Sequence, residues 1–266
     1  MAPTLGLSAV GFDSVLETAS ARPLSVGVFS DFDGTLSELI EVPAEVLPVA
    51  GAVEAIDCLA TLCGTVAIVS GRPVSFLGEF FSPLVELSGL YGIEHRSGSK
   101  LEIDEAAVEW LPVIEAVAVD GASRFGESVV ENKTYSLTVH YRTETADTAA
   151  AIESWAEETG GRHGLHVGRA KMSVELHPPI SRDKGDAIGD MLDGISVAVY
   201  FGDDRGDRSG FERLLTARRE GALACAATVL VRGAETPAEL CESATDIVAT
   251  PHDVVAMLEQ LSASMR

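Results

Sequence analysis

The chain has 266 residues, enough for one large domain or two smaller ones, and its hydrophobic content of 46% is ample for a real core. A formal charge of −22 argues against nucleic acid or an anionic membrane as partner, since both demand basic surface. It also sets an anionic substrate against general repulsion, so a phosphate site has to be made locally positive by a metal ion or a few basic residues.

Residues 1–25 lack a basic start, and Asp13 and Glu17 interrupt their apolar runs, which predicts a helical lead-in and not a signal peptide. A strand is expected at Val26–Ser30, a helix over 49–62, a strand at Thr65–Val69, a helix over 73–81 with Pro73 in its first turn, and a third strand over 87–91. Strand, helix, strand, helix, strand implies right-handed crossovers and a parallel sheet. The middle reads differently: helix 105–119, strands 129–131 and 135–141, helix 146–159, strands 165–167 and 172–176. Tyr135, Leu137, Val139 and Tyr141 share one face at period two, and adjacent strands on short links favour an antiparallel sheet. After Pro178-Pro179 the first pattern resumes with helix 183–192, strand 196–201, helix 210–217, strand 223–231, a helix near 237–241 and a strand at Asp246–Val248. Thr250 is expected to cap a final helix, with Asp253 three residues on. The architecture is therefore α/β: a parallel-sheet core over 1–103 and 180–266, interrupted by an inserted α+β domain over 104–179 with an antiparallel sheet and two helices.

Asp31-Phe32-Asp33-Gly34-Thr35 follows the first strand directly. Two carboxylates and a tight turn at a buried strand end suit a metal-assisted site in an open α/β sheet, although Asp-x-Asp-Gly also occurs in plain turns. A calcium loop of the EF-hand type is excluded, because the sixth position holds Leu36 and the twelfth Val42 where glycine and glutamate are needed. Ser70-Gly71-Arg72 ends the second strand, where a hydroxyl and a glycine can donate hydrogen bonds to phosphate; an ordinary strand-to-helix turn is the alternative. In Asp183-Lys184-Gly185, Asp183 is a candidate N-cap and Lys184 sits in the first turn against the helix dipole. That is tolerable if the lysine points at an anion, and unremarkable if it is solvated. Gly202-Asp203-Asp204, with Asp207 nearby, repeats the acid-ended strand. Carboxylates crowded at two such ends repel unless a cation neutralises them, and hard oxygen ligands suit Mg²⁺. His163, His166 and His177 are too scattered for a zinc site. Cysteines stand at 58, 63, 225 and 241 without a Cys-x-x-Cys pair, which fits reduced thiols in a cytoplasm, and no apolar run is long enough to predict a membrane span.

The four motifs occur in this order between residues 31 and 204, three of them directly after strands, and the set resembles the haloacid dehalogenase superfamily. The resemblance narrows to the trehalose-6-phosphate phosphatase family. Val69-Ser70-Gly71-Arg72, Tyr91-Gly92-Ile93-Glu94-His95-Arg96, Glu131-Asn132-Lys133, His140-Tyr141-Arg142, and Lys171 with Glu175 ahead of Pro178 are similar to it over about residues 26–260. The family continues Gly-Asp-Asp-x-Thr-Asp-Glu, whereas here Gly206 stands for the threonine and Arg208 for the glutamate. The resemblance implies that Asp31 attacks phosphorus to give a phosphoaspartate and that Asp33 is acid and then base. It implies Mg²⁺ held by Asp31, the Asp33 carbonyl and Asp203, with Asp204 and Asp207 in support, and Ser70 and Lys184 on phosphate oxygens. Gly34, Thr35, Gly71 and Arg72 would line the substrate, and Glu131, Lys133, Arg142, Lys171 and Glu175 would meet sugar hydroxyls from a cap. The expected partner is a sugar phosphate, a disaccharide phosphate above all, acting on a cytoplasmic monomer or weak oligomer. Alternatives are a phosphatase for another sugar or cyclitol phosphate, a phosphomutase, and a non-catalytic module on the same fold.

Overall fold

The computed structural model describes residues 10–40, 45–170, 172–233 and 236–266. They form two compact units, Met1–Glu102 with Arg182–Arg266, and Ile103–Ser181. In chain order the first unit begins with α1 (Phe12–Ala19), β1 (Val26–Ser30), α2 (Ala52–Ala60), β2 (Thr65–Val69), α3 (Val74–Leu77), β3 (Glu86–Gly89), β4 (Glu94–Ser97) and β5 (Lys100–Ile103). The second unit holds α4 (Glu105–Val108), α5 (Leu111–Phe125), β6 (Val130–Asn132), β7 (Leu137–His140), α6 (Ala146–His163), β8 (His166–Ala170) and β9 (Ser173–His177). The chain then returns through α7 (Lys184–Asp190), β10 (Val197–Gly202), α8 (Arg208–Arg219), β11 (Cys225–Val231), α9 (Ala238–Ser243), β12 (Asp246–Val248) and α10 (Pro251–Ser264).

The large sheet has the order β12-β11-β10-β1-β2-β3-β4-β5. From β12 to β3 every pairing is parallel, with Val28 opposite Val199 on one side and Val66 on the other. Strands β1, β10 and β11 are buried along their whole length, which is why they read as unbroken apolar runs. One face packs Val28, Val66 and Val199 under α1, α2 and α10, and the other packs Phe29, Tyr200 and Ala226 under α7 and α8. Since β12 pairs only with Val229–Val231, the lower part of β11 is partnered instead by the lead-in, where the Gly11 amide donates to the Ala226 carbonyl at 3.0 Å.

Several elements differ from expectation. The third strand stops at Gly89, because Leu90 and Tyr91 turn into the left-handed region. Strands β4 and β5 were not foreseen; they extend the sheet past β3, with β4 antiparallel to it. The single helix expected over 105–119 is two, because Pro112 sits in the first turn of α5 and cannot continue α4. Strand β7 begins at Leu137 and not at Tyr135, since Thr134 takes φ +73° and its amide donates to Asn132 Oδ1 at 2.9 Å.

The small sheet is antiparallel in the order β6-β7-β9-β8. Leu137, Val139, Val174 and Leu176 turn one face onto Ile114, Val117, Ile152 and Trp155 of α5 and α6. Glu131, Thr138 and Glu175 lie directly opposite one another on the other, polar face. Among the described residues no helix is long and apolar enough to cross a membrane.

Candidate active site

The parallel register brings the carboxyl ends of β1, β2 and β10 to one edge of the large sheet. The Asp31 amide extends the β1 ladder by donating to the Phe201 carbonyl at 2.9 Å, so Asp31 and Gly202-Asp203 emerge side by side. Ser70 leaves β2 in the same way, its amide donating to the Ser88 carbonyl at 2.9 Å. Side-chain contacts tie these turns together. The Lys184 ammonium at the start of α7 lies 2.9 Å from Asp31 Oδ2 and 2.6 Å from Asp207 Oδ1. Arg72 grips Asp33 with both arms of its fork, Nε to Oδ2 at 2.7 Å and Nη2 to Oδ1 at 2.8 Å, while its guanidinium stacks 4.7 Å over the Phe76 ring. Gly34, at φ +75°, lies under Asp203, whose Oδ2 would stand 2.2 Å from a Cβ placed there. Glycine is thus required at 34 by both backbone and space.

Lys184 is positioned by a reciprocal cap. The Asp186 amide donates to Asp183 Oδ1 at 2.9 Å, and the Asp183 amide donates to Asp186 Oδ2 at 3.3 Å. The lysine is buried, and so are Asp31 and Asp207. Burial alone would lower the Lys184 pKa, but the Asp207 and Asp31 carboxylates outweigh it and hold the ammonium charged, above its ordinary range. Asp31 is pushed well above the usual carboxylate range, by burial first, with Lys184 opposing and Asp207 and Asp204 adding to the rise. Asp203 is pushed up to about 9 by burial, then by the Asp31, Asp207 and Asp204 carboxylates.

Oxygens of Asp31, Asp203 and Asp207 all lie within 4.8 Å of one another. One ammonium among these acids leaves uncompensated negative charge, and the donors are all hard oxygens, so the set fits a divalent cation. The three differ in what already occupies them. Asp207 Oδ1 accepts from Lys184 and from the Tyr200 hydroxyl, and its Oδ2 accepts from the Asp203 and Asp204 amides at 2.8 and 3.0 Å. Asp207 is therefore a strut for the turn and for Lys184, while Asp31 and Asp203 are the better cation ligands. Asp33 and Asp204 stand outside the group: Asp33 is held by Arg72, and Asp204 Oδ1 accepts from the Gly206 amide at 2.7 Å.

Ser70 is buried, and its Oγ accepts from the Arg72 amide at 3.2 Å. Thr35 is buried too, with no hydrogen-bond partner for Oγ1 among the described residues. Gly71 lies beneath the Tyr91 ring. In the second unit, Lys133 Nζ is 3.5 Å from Glu175 Oε1, which also accepts from Ser136 Oγ at 3.3 Å, and Glu131 Oε2 is 2.8 Å from His140 Nε2. Arg142 is exposed beyond the end of β7, and Lys171 lies outside the described residues. Sequence reasoning missed Tyr200, and it quoted Tyr91 within a family-like run without giving it a place at the site. The first sits inside an apolar run and resembles a core residue, and what brings the second to the site is a left-handed backbone that the sequence does not announce.

This architecture is the fold of haloacid dehalogenase-like hydrolases. One of these, from Bacteroides thetaiotaomicron, superposes with a TM-score of 0.60 at 14% identity over 88% of this chain and 98% of its own. The chain belongs to the trehalose-phosphatase family, whose model matches residues 29–235. The crystal structure of a trehalose-6-phosphate phosphatase related protein gives a TM-score of 0.74 at 24% identity, covering 89% of this chain and 97% of that one. The trehalose-phosphate phosphatase of Mycobacterium ulcerans is 34% identical over 198 residues, 70% of this chain and 50% of that protein. The chain thus spans about half the length of the curated relatives it matches.

Proposed function

We propose that this protein is a Mg²⁺-dependent phosphatase that hydrolyses trehalose 6-phosphate to trehalose and inorganic phosphate through a phosphoaspartate at Asp31. The observation that carries the reading is Asp31 itself: a carboxylate at a buried strand end, 2.9 Å from a buried lysine and grouped with Asp203, in a chain of the trehalose-phosphatase family. In the first step an Asp31 oxygen attacks phosphorus as the bond to the sugar oxygen breaks, and Asp33 gives that oxygen its proton. In the second, Asp33 takes a proton from water, the water oxygen attacks phosphorus, and phosphate departs from a regenerated Asp31. Arg72 sets the rest position of the Asp33 carboxylate. Lys184 and Ser70 hold phosphate oxygens, and Asp207 keeps Lys184 in place.

Mg²⁺, held by Asp31, Asp203 and the Asp33 carbonyl, supplies positive charge that offsets repulsion between the nucleophile and the phosphate dianion. Gly34, Thr35 and Gly71 border the substrate, with Asp204 supporting the acidic turn. Glu131, Lys133 and Glu175, with Arg142 and Lys171, meet sugar hydroxyls, since mixed carboxylate and ammonium groups suit a polyol. The proposed setting is a reducing cytoplasm, in keeping with four free cysteine thiols. Asp31→Asn is the direct test: turnover is lost while the thermal melt keeps its cooperative shape, and substantial remaining activity overturns the assignment. A second reading, a phosphatase for another sugar or cyclitol phosphate, is favoured by Gly206 and Arg208. Comparing trehalose 6-phosphate with glucose 6-phosphate and sucrose 6-phosphate separates the two.

A further inference from the structure

Between β3 and β4 three successive residues take left-handed backbone: Leu90 at φ +50°, Tyr91 at φ +58° and Gly92 at φ +96°. This conformation strains a residue with a side chain, which keeps it only where its surroundings impose it. Here they do. Leu90 is buried, its amide donates to the Arg72 carbonyl at 3.1 Å, and the Tyr91 amide donates to the Ser70 carbonyl at 3.2 Å. Gly89 packs so closely that a Cβ would stand 2.7 Å from the Val74 nitrogen and 2.8 Å from the Arg72 oxygen. The strained turn is strapped onto the loop that carries Ser70 and Arg72.

The strap delivers the Tyr91 ring. A Cβ at Gly71 would meet both Tyr91 Cζ and the hydroxyl at 2.8 Å. A Cβ at Gly206 would lie 3.9 Å from Tyr91 Cε1 and 3.9 Å from Lys184 Cε. The ring therefore reaches from Gly71 to Gly206 beside the stem of the lysine that holds Asp31; Gly71 leaves room for it, and a Cβ at Gly206 would rest against it in ordinary contact. Gly206 stands where the family motif has threonine. Tyr91 remains 37% exposed at the rim of an acid-rich site. A phosphate and a hydrated divalent cation are held by charge and by nitrogen or oxygen groups, which a ring face does not supply, whereas an alcohol with a C–H face and hydroxyl edges matches a tyrosine, which has an apolar body and a polar tip.

We infer that Tyr91 is a specificity-determining residue, a wall for the leaving alcohol that selects esters of a cyclic polyol over esters without a ring. The inference rests on the phosphatase reading and deepens it.

The test compares trehalose 6-phosphate with glycerol 3-phosphate, an ester of an acyclic polyol, in wild type, Tyr91→Gly, Tyr91→Asn and Tyr91→Phe. Glycine and asparagine tolerate the left-handed backbone, so both remove the ring without adding strain. In both ringless variants the ratio of kcat/KM for the sugar ester to that for glycerol 3-phosphate falls about tenfold, mainly through KM, and in Tyr91→Phe it stays within about twofold. An unmoved ratio in the ringless variants, including an equal loss on both esters, overturns the inference. If the wild type prefers another sugar phosphate, the trehalose assignment fails on its own. The ratio is then taken with that ester, and Tyr91 is judged separately.

Discussion

At the scale of single residues, Lys184 governs the site. It sits in the first turn of α7, where the helix dipole disfavours it, and compensates by contacting two buried carboxylates. Lys184→Met leaves Asp31 and Asp207 buried without their cation. Loss of one partner from such a set costs about 3–5 kcal/mol, so the urea midpoint falls steeply, and an unchanged midpoint contradicts the buried ion triad. Gly34→Ala meets both a left-handed φ and the Asp203 carboxylate. Phosphate release therefore drops even where a folded protein is recovered, which activity and circular dichroism read together. Lys184, Asp31 and Asp203 were legible in the sequence because their departures from local rules are local: a cation at a helix start, and acids closing apolar strands. The duty of Asp207 was not, because four donors on one carboxylate arise only when β10 and α7 are packed together.

Among the elements, the helix caps and the edge hairpin give the clearest tests. The side chain of Asp183 caps α7 and thereby aims Lys184. Asp183→Ala costs about 1 kcal/mol in denaturant unfolding, and lowers activity further than that loss of stability explains. Between β3 and β4, Glu86 holds His95 at 2.8 Å and raises its pKa through that hydrogen bond, against burial and with help from the charges of Glu102 and Asp190. The folded value lies above the unfolded one. The stabilisation is complete below the unfolded value of about 6.5 and fades as pH rises through the folded value. The melting temperature accordingly falls from pH 6 towards about pH 8, and Glu86→Gln flattens that slope; a slope unchanged by Glu86→Gln contradicts the pairing. The buried parallel strands were readable because both their faces are covered. Strands β4 and β5 were not, since Lys100, Leu101 and Glu102 are exposed and show no buried alternation. The break between α4 and α5 was written in Pro112, a signal that the helical period on either side outweighed.

For the whole molecule, a charge of −22 acts on both stability and encounter. Self-repulsion is screened by salt, so the melting temperature rises between about 10 and 200 mM NaCl, and kcat/KM for an anionic ester rises over the same range. A flat or falling kcat/KM would mean that local positive charge dominates the approach. The alternation of a parallel core, an antiparallel insert and a second stretch of core was visible along the chain because each change in periodicity marks a change in layer. The most direct test of the assignment is phosphate release from trehalose 6-phosphate by wild type and Asp31→Asn, each with Mg²⁺ and with a chelator. Release by the wild type with Mg²⁺, lost on chelation and lost in Asp31→Asn, is the predicted result. Release that survives Asp31→Asn, or its absence from the wild type with Mg²⁺, contradicts the account.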